Sequence, residues 1–371
     1  MLSPGRRPAR LLMTTDAVGG VWTYALDLAR GLAAAGTEVT LAVLGPPPDE
    51  TQARAAAAIA GLRLVPTGLP LDWDMATDAA ALADTGATLA TAARVLDVDL
   101  VHLNSSILAA EAAFSVPVVG GCHSCLATWW QAVKGAETMP PEFAWRRDLL
   151  EAAYRRCAAL IAPSRAFAAV TAGTYGVAAP IAIYNARVPA MTASAPAVDI
   201  FTAGRLWDEG KNLVALDRAA ALIDAPIHAA GPVRSPYGQG IRLDHLRLLG
   251  TLDTAGIAGC LASRPVFVST ALYEPFGLAV LEAAQAGCAL VLSDIPTFRE
   301  LWDGVARFVP ARDACSIAEA LRALAGDPVE RRRAGAAAAQ RANDYAIERM
   351  VRETLHVYGR VLAHAAEQAV A

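Results

Sequence analysis

Short apolar runs alternate along this chain with stretches whose apolar residues recur every three or four positions. Leu11–Thr14 is the first run, a strand of the buried kind. Val21, Tyr24, Leu28 and Leu32 follow at helical spacing, and Gly36 stops that helix. Val39–Leu44 is the next strand, ended by Pro46-Pro47-Pro48. Further strands are expected at Leu62–Val65, Leu100–Leu103, Val116–Gly120, Leu160–Pro163 and Ile181–Tyr184, most of them separated by helical stretches. Repeated strand–helix–strand order implies a parallel sheet covered by helices on both faces.

The pattern breaks from Val188 to Val198, a stretch rich in Pro, Ala, Ser and Thr that reads as an interdomain linker. It then restarts, with strands expected at Asp199–Ala203, Ile227–Ala230, Leu246–Gly250, Val266–Ser269 and Ala289–Ser293. Helical patterns run from Asn212, Phe276 and Ser316, and a long one from about Asp344 closes the chain. The expected fold is α/β, with two doubly wound, Rossmann-like parallel-sheet domains over residues 1–190 and 198–345 and a C-terminal helix over 346–371. Such domains are expected to face a central cleft with the carboxyl ends of their strands, the edge where doubly wound sheets bind ligands.

Composition narrows the classes. A chain of 371 residues, 55% hydrophobic and 18% charged, suits two domains of ordinary size. Mean hydropathy is high at +0.35, chiefly through alanine, a helix former that does not demand lipid. No stretch approaches the roughly 20 apolar residues of a membrane helix. Arg6, Arg7 and Arg10 precede Leu11-Leu12-Met13, a run too short for a signal sequence and followed at once by Asp16. A net charge of −4 argues against nucleic acid as a partner. Cys122, Cys125, Cys157, Cys260, Cys288 and Cys315 lack a framework spacing and read as reduced thiols of a cytoplasmic protein.

Three segments carry candidate chemistry. After the first strand, Gly19-Gly20 opens a helix; paired glycines there let backbone N–H groups approach an anion, or simply make a tight turn. The segment is not G-x-G-x-x-G, which argues against a dinucleotide-binding oxidoreductase. After the first strand of the second domain comes Gly204-Arg205-Leu206-Trp207-Asp208-Glu209-Gly210-Lys211-Asn212. Arg205 and Lys211 at a sheet edge can neutralise a departing diphosphate; the alternative is a solvated basic loop. The third segment, Ser269 to Ala283, runs from strand through Glu274-Pro275-Phe276-Gly277-Leu278 into a helix carrying Glu282. Free N–H groups near Phe276, Gly277 and Leu278 would face the ligand edge. Glu274 and Glu282 lie eight residues apart, roughly 12 Å if helical, too far for a glycosidase pair and better suited to holding a polyhydroxyl ligand at two points. A helix cap and an exposed carboxylate are the plainer reading of the two.

Together these motifs resemble the retaining GT-B glycosyltransferases of family 4 (group 1): Glu274 and Glu282 with Pro275-Phe276-Gly277 between, the Gly204-Arg205 to Lys211 segment, and the Gly19-Gly20 loop, in the family's order and spacing. The resemblance covers essentially the whole chain. It implies that Glu282 holds the donor ribose and Glu274 the hydroxyls of the transferred sugar. Main-chain N–H groups of Phe276, Gly277 and Leu278 would meet sugar and phosphates, Arg205 and Lys211 the diphosphate, with Gly19 and Gly20 closing over it. Thr251 and Leu252 are similar to where the family seats the base. His123, after the strand Val116–Gly120, matches a family histidine near the reacting sugar and acceptor; a structural histidine bonded to backbone is the alternative. His102, ending a strand, reads as structural or acceptor-side. The implied reaction is retaining, without metal or cofactor. Its partners are a nucleotide-diphosphate sugar and a carbohydrate, lipid-linked or small-molecule acceptor hydroxyl. Phosphorylases, a GT-B epimerase and a non-catalytic sugar-nucleotide-binding protein are the rivals on the same fold. The family often has Asn-Gly before the linker, where this chain has Asn185-Ala186, and Val233–Leu243 allows no firm base contacts.

Other features compete. Cys122-His123-Ser124-Cys125 is a C-x-x-C without a second cysteine pair to complete a metal site. Asp72-Trp73-Asp74 and Asp97-Val98-Asp99 each fit D-x-D, the metal motif of the other glycosyltransferase fold, and are expected to be solvated loop carboxylates. Trp129-Trp130 suits sugar stacking or core packing equally. Arg146, Arg147, Arg155 and Arg156 sit on an amphipathic stretch; a solvated surface helix is expected, and membrane contact is not indicated.

Overall fold

A computed structural model, describing residues 7–74, 76–189, 198–235, 238 and 240–370, follows the apolar pattern closely within each element and less closely at the ends. The first sheet contains β1 (Arg10–Asp16), β2 (Glu38–Leu44), β3 (Leu62–Pro66), β4 (Leu100–Leu103), β5 (Val118–Gly121), β6 (Ala159–Ala162) and β7 (Ile181–Ala182). All pair in parallel, in the order β3-β2-β1-β4-β5-β6-β7, so the order reverses between β1 and β4. β5 begins later than its apolar run because Pro117 has no N–H to give the ladder.

Both faces of this sheet are covered. On one, Leu11, Met13, Val39 and Leu41 pack with Tyr24, Leu28 and Leu32 of the helix Gly20–Ala34. The helix Ile347–Val370 completes that core with Met350, Val351, Tyr358 and Leu362. Gly31 is required there: a Cβ would lie 2.2 Å from Val351 Cγ2. On the other face Leu12, Leu44, Val101 and Leu103 meet Leu82, Leu89 and Leu108.

The second sheet holds β8 (Ile200–Ala203), β9 (Ile227–Ala230), β10 (Arg247–Gly250), β11 (Val266–Ser269), β12 (Ala289–Ser293) and β13 (Arg307–Val309). It is also parallel, ordered β10-β9-β8-β11-β12-β13, and reverses between β8 and β11. Ile200, Leu216, Ile227, Val268, Val291, Ile317 and Leu321 form its core. β13 and the helices Thr254–Ala262, Pro296–Trp302 and Pro328–Ala342 were not apparent in the apolar pattern. The last is mostly Ala and Arg, and its start is set by Asp327, which accepts from the N–H groups of Val329 and Glu330.

Two units result. One comprises the chain up to Trp130, Ala136–Ala186 and the helix from Ile347; the other comprises Gln131–Gly135 and Arg187–Ala346. Residues 190–197 of the expected linker lie outside the described residues, as do Arg6 and part of the Val233–Leu243 segment. Ala186, where the family pattern has glycine, is fully buried in the first core and has no left-handed backbone, so glycine's freedom is not needed there.

The arginine-bearing helix Pro141–Arg156 differs from expectation. Arg146 is buried, not solvated: its guanidinium donates to the carbonyls of Asp72, Asp74 (2.7 Å) and Thr77 (2.7 Å), pinning that loop. Arg147 pairs with Asp148, Arg155 with Glu151, and Arg156 donates to the Ala112 carbonyl. No helix among the described residues is long and apolar enough to cross a membrane.

Candidate active site

The candidate residues follow the carboxyl ends of strands in each sheet: Gly19 and Gly20 after β1, Arg205 and Lys211 after β8 and Glu274 after β11 flank the order reversals, where adjacent loops diverge, while His123 follows β5 and Thr251 and Leu252 follow β10. In the first unit, Asp16 at the end of β1 accepts from the N–H groups of Val18 (2.8 Å) and Gly19 (3.2 Å). Gly20 then opens a helix that no side chain caps. Asn104, just beyond β4, is tied to β1: its N–H donates to Thr14 Oγ1 (2.9 Å) and its Nδ2 to the Thr14 carbonyl (2.7 Å). His123, just beyond β5, meets Asn104 Oδ1 through Nε2 at 2.7 Å. Its ring packs edge-on against Tyr24, 4.6 Å between centroids, and burial lowers its pKa to about 4. His123 is therefore neutral near pH 7.

His102 is a core residue. It is fully buried, Nδ1 meets the Tyr358 hydroxyl at 2.6 Å, and burial with His123 nearby lowers its pKa to about 3. Asp72 corrects the expectation of a solvated carboxylate. It is half-buried, accepts from Ser105 Oγ (3.2 Å) beyond β4, and burial together with Asp16 raises its pKa to about 6. Asp97 and Asp99 instead lie by the amino end of β1, where Asp97 pairs with Arg10 and Asp99 accepts from the N–H groups of Ala9 and Arg10. The C-x-x-C thiols sit beside the Tyr154–Tyr175 ring pair. Cys122 is buried, which pushes its pKa well up, while Cys125 Sγ accepts from the Tyr175 hydroxyl at 2.9 Å. Trp130 donates to the Glu137 carbonyl (2.8 Å) and packs near Phe143.

The second unit's edge is built from ion pairs. Beyond β8, Asn212 in the left-handed conformation donates to the carbonyls of Thr270 (3.0 Å) and Ala311 (2.7 Å). The Leu272 N–H donates to the Gly210 carbonyl (2.8 Å), locking the β8 and β11 loops together. This brings Lys211 Nζ to 2.5 Å from Glu274 Oε2, both largely shielded from solvent. Arg205 is instead 45% exposed at its side chain, held by Asp208 at 3.0 Å and lying over Trp207. Gly277 has φ +95° and begins the helix Leu278–Gln285 without a side-chain cap. Phe276 is buried and packs edge-on to Tyr345, so its side chain is an anchor and only its backbone is available. Glu282, one turn into the helix, pairs through Oε1 with Arg187 Nε at 2.6 Å. Thr251 and Leu252 follow β10, two strands from β8 and so about 10 Å away.

The matching families decide what this frame is. Residues 18–186 match the model for "Glycosyltransferase Family 4" and residues 197–327 that for "Glycosyl transferases group 1". The chain belongs to the GT-B glycosyltransferases of this family. Among curated relatives, a phosphatidyl-myo-inositol mannosyltransferase of Mycobacterium leprae is 36% identical over 132 residues, 35% of either chain. A Mycobacterium tuberculosis glycogen synthase is 36% identical over 121 residues, 31% of this chain and 27% of that one. The chain thus aligns with about a third of these relatives' length. Among solved structures, sucrose-phosphate synthase from Thermosynechococcus elongatus superposes with a TM-score of 0.77 at 18% identity, over 97% of this chain and 100% of that one. Anabaena HepE in complex with UDP and glucose gives 0.71 at 16% identity, over 94% and 98%. At such identities these two share the fold.

In this chain the sequence motifs located Arg205, Lys211, Glu274 and Glu282 but not how they pair. Asn104, Asp208, Asn212 and Arg187 were missed as site residues. Asp208 and Asn212 stood in the quoted basic segment, and Asn104 directly followed an expected strand. Each signal was position after a strand.

Proposed function

We propose that this glycosyltransferase moves a sugar from a nucleoside-diphosphate sugar to an acceptor hydroxyl, with retention of configuration and without a divalent cation. The observation that carries the reading is the Lys211–Glu274 pair at the β8/β11 reversal, beside the exposed Arg205 and an uncapped helix start. Cations and oriented N–H groups at one point suit a diphosphate. Lys211 exchanges its Glu274 partner for a phosphate oxygen, and the freed carboxylate accepts hydroxyls of the transferred sugar. Arg205 joins Lys211 on the leaving group, and the backbone of Phe276, Gly277 and Leu278 completes the grip. Glu282 takes the ribose hydroxyls through Oε2 while Arg187 holds Oε1. The base lies toward Thr251 and Leu252.

Departure of the diphosphate places negative charge on its oxygens as the sugar becomes oxocarbenium-like. The two cations stabilise that charge. The acceptor oxygen attacks from the face the diphosphate vacates, and its proton passes to the leaving oxygen. Glu274, engaged by the hydroxyls of the transferred sugar, does not serve as a nucleophile. His123 meets hydroxyls of the reacting sugar or acceptor, and Gly19 and Gly20 offer N–H groups to the diphosphate. Relatives named mannosyltransferase, and a similar fold bound to UDP and glucose, support a hexosyl donor; the acceptor is a carbohydrate, a lipid-linked polyol or a small molecule. The free cysteines support a cytoplasmic location.

The test incubates the enzyme with a panel of sugar nucleotides and hydroxyl acceptors in excess chelator and follows nucleoside diphosphate release. Release that requires acceptor and persists in chelator is expected, and the product should keep the donor's anomeric configuration by NMR. Conversion of the donor without acceptor would replace this reading with an epimerase.

A further inference from the structure

The loops beyond β1, β4 and β5 contain a hydrogen-bond relay whose proton positions can be deduced. A carbonyl oxygen only accepts, so the Asn104 group 2.7 Å from the Thr14 carbonyl is the amide nitrogen, and Oδ1 faces the other way. Oδ1 lies 2.7 Å from His123 Nε2 and also only accepts, so Nε2 carries the proton. The Asn104 N–H to Thr14 Oγ1 bond fixes the backbone on which this amide stands. Asn104 is itself buried, at 8% exposure. Gly121 leaves room for the contact: a Cβ there would lie 2.8 Å from His123 Nε2 and 3.0 Å from Asn104 Oδ1. The bond through Nε2 is the ring's one hydrogen bond among the described residues, which leaves Nδ1 without one.

We propose that Asn104 is a positioning residue that holds His123 as the neutral imidazole protonated on Nε2, so that His123 meets its ligand through a bare Nδ1 that accepts from a hydroxyl. The ligand chemistry at this point is a sugar or polyol O–H, not a phosphate, because a bare ring nitrogen repels an anion and attracts a hydroxyl proton. The inference rests on His123 facing the reacting groups, as proposed above, but the tautomer is measurable without turnover. Facing the ring are Tyr24 of the first helix, His102 and Asn104 from the β4 segment, and Gly121 of β5. Of these, Tyr24 and His102 titrate, and burial keeps both neutral near pH 7.

The experiment is long-range 1H–15N NMR of histidine-labelled full-length protein, with His123→Gln to assign the signal. At pH 7 His123 should show a protonated Nε2 and an unprotonated Nδ1. Asn104→Asp puts a carboxylate on Nε2 and should raise the His123 pKa by about 1–3 pH units, adding an ionisation to the pH profile of kcat/KM. Asn104→Leu, nearly isosteric, should let both tautomers appear and lower kcat about tenfold while leaving donor KM within about twofold. A wild-type His123 carrying its proton on Nδ1, or charged at pH 7, overturns the proposal even if the enzyme transfers sugar. The expected tautomer in a protein that releases no nucleoside diphosphate would instead overturn the functional reading and leave the relay standing.

Discussion

The two sheets reverse their order at corresponding points, β1/β4 and β8/β11, and furnish those points with opposite chemistry. The first edge carries, besides the carboxylates of Asp16 and Asp72, a neutral relay of Thr14, Asn104, His123 and Tyr24, with burial keeping the histidine uncharged. The second is a set of ion pairs: Lys211–Glu274, Arg205–Asp208 and Arg187–Glu282. The same topology therefore supplies the place, and the residues leaving the strands decide whether it presents neutral hydrogen-bonding groups or ion pairs. A relay of neutral groups discriminates by donor and acceptor direction. Paired ions hold cations ready and exchange partners when a more highly charged anion arrives.

The comparison can be broken at its charged side first. Lys211→Ala removes a cation proposed to meet the leaving group and strands Glu274 without its partner, so kcat should fall about 100- to 1,000-fold with the circular dichroism unchanged. A fall under about threefold, within the range of an indirect effect, would remove the diphosphate from that edge.

Next comes acid. His102 and His123 titrate near 6.5 unfolded but only at about 3 and 4 in the fold, so below pH 6.5 the unfolded chain binds more protons and stability falls. Each contributes about 1.4 kcal/mol per pH unit across its window. Asp72 acts oppositely: raised from 3.8 to about 6, it costs stability as pH rises through that range. Two groups outweigh one, so urea midpoints should fall from pH 6.5 to 4.5, with His123→Gln reducing the slope.

Glu282→Gln sharpens the charged side. It keeps shape but loses the pair with Arg187 and the charged acceptor proposed for the ribose, so donor affinity should drop about 10- to 100-fold by calorimetry. The smallest effect is at the neutral edge. Gly121→Ala pushes a methyl into the His123–Asn104 contact, costing about 1–3 kcal/mol of stability, read as a lower thermal midpoint, and about tenfold in kcat.

Strand centres were legible because both faces of a parallel sheet are buried and each strand reads as an apolar run. Arg205, Lys211, Glu274 and Glu282 were legible because charged residues directly after such runs stand out. Their pairing was not. Lys211 and Glu274 are 63 residues apart and meet only because β8 and β11 are neighbours. Asn104 carries no charge and no period, and Thr14, 90 residues earlier, defines its role. His102 ended a strand as expected, yet its partner Tyr358 is 256 residues away on the last helix. Arg146 looked like a surface cation because the loop carbonyls that bury it have no sequence signature. The helix Pro328–Ala342 was missed because alanine blurs the apolar face that periodicity depends on.

The most direct test titrates UDP, GDP and ADP calorimetrically into the protein in excess EDTA, with the matching nucleosides as controls. The account predicts that one diphosphate binds one-to-one without any divalent ion, more weakly as salt rises, and that its nucleoside binds far more weakly. Diphosphate binding that appears only on adding magnesium or manganese, or that matches the nucleoside's, would contradict it.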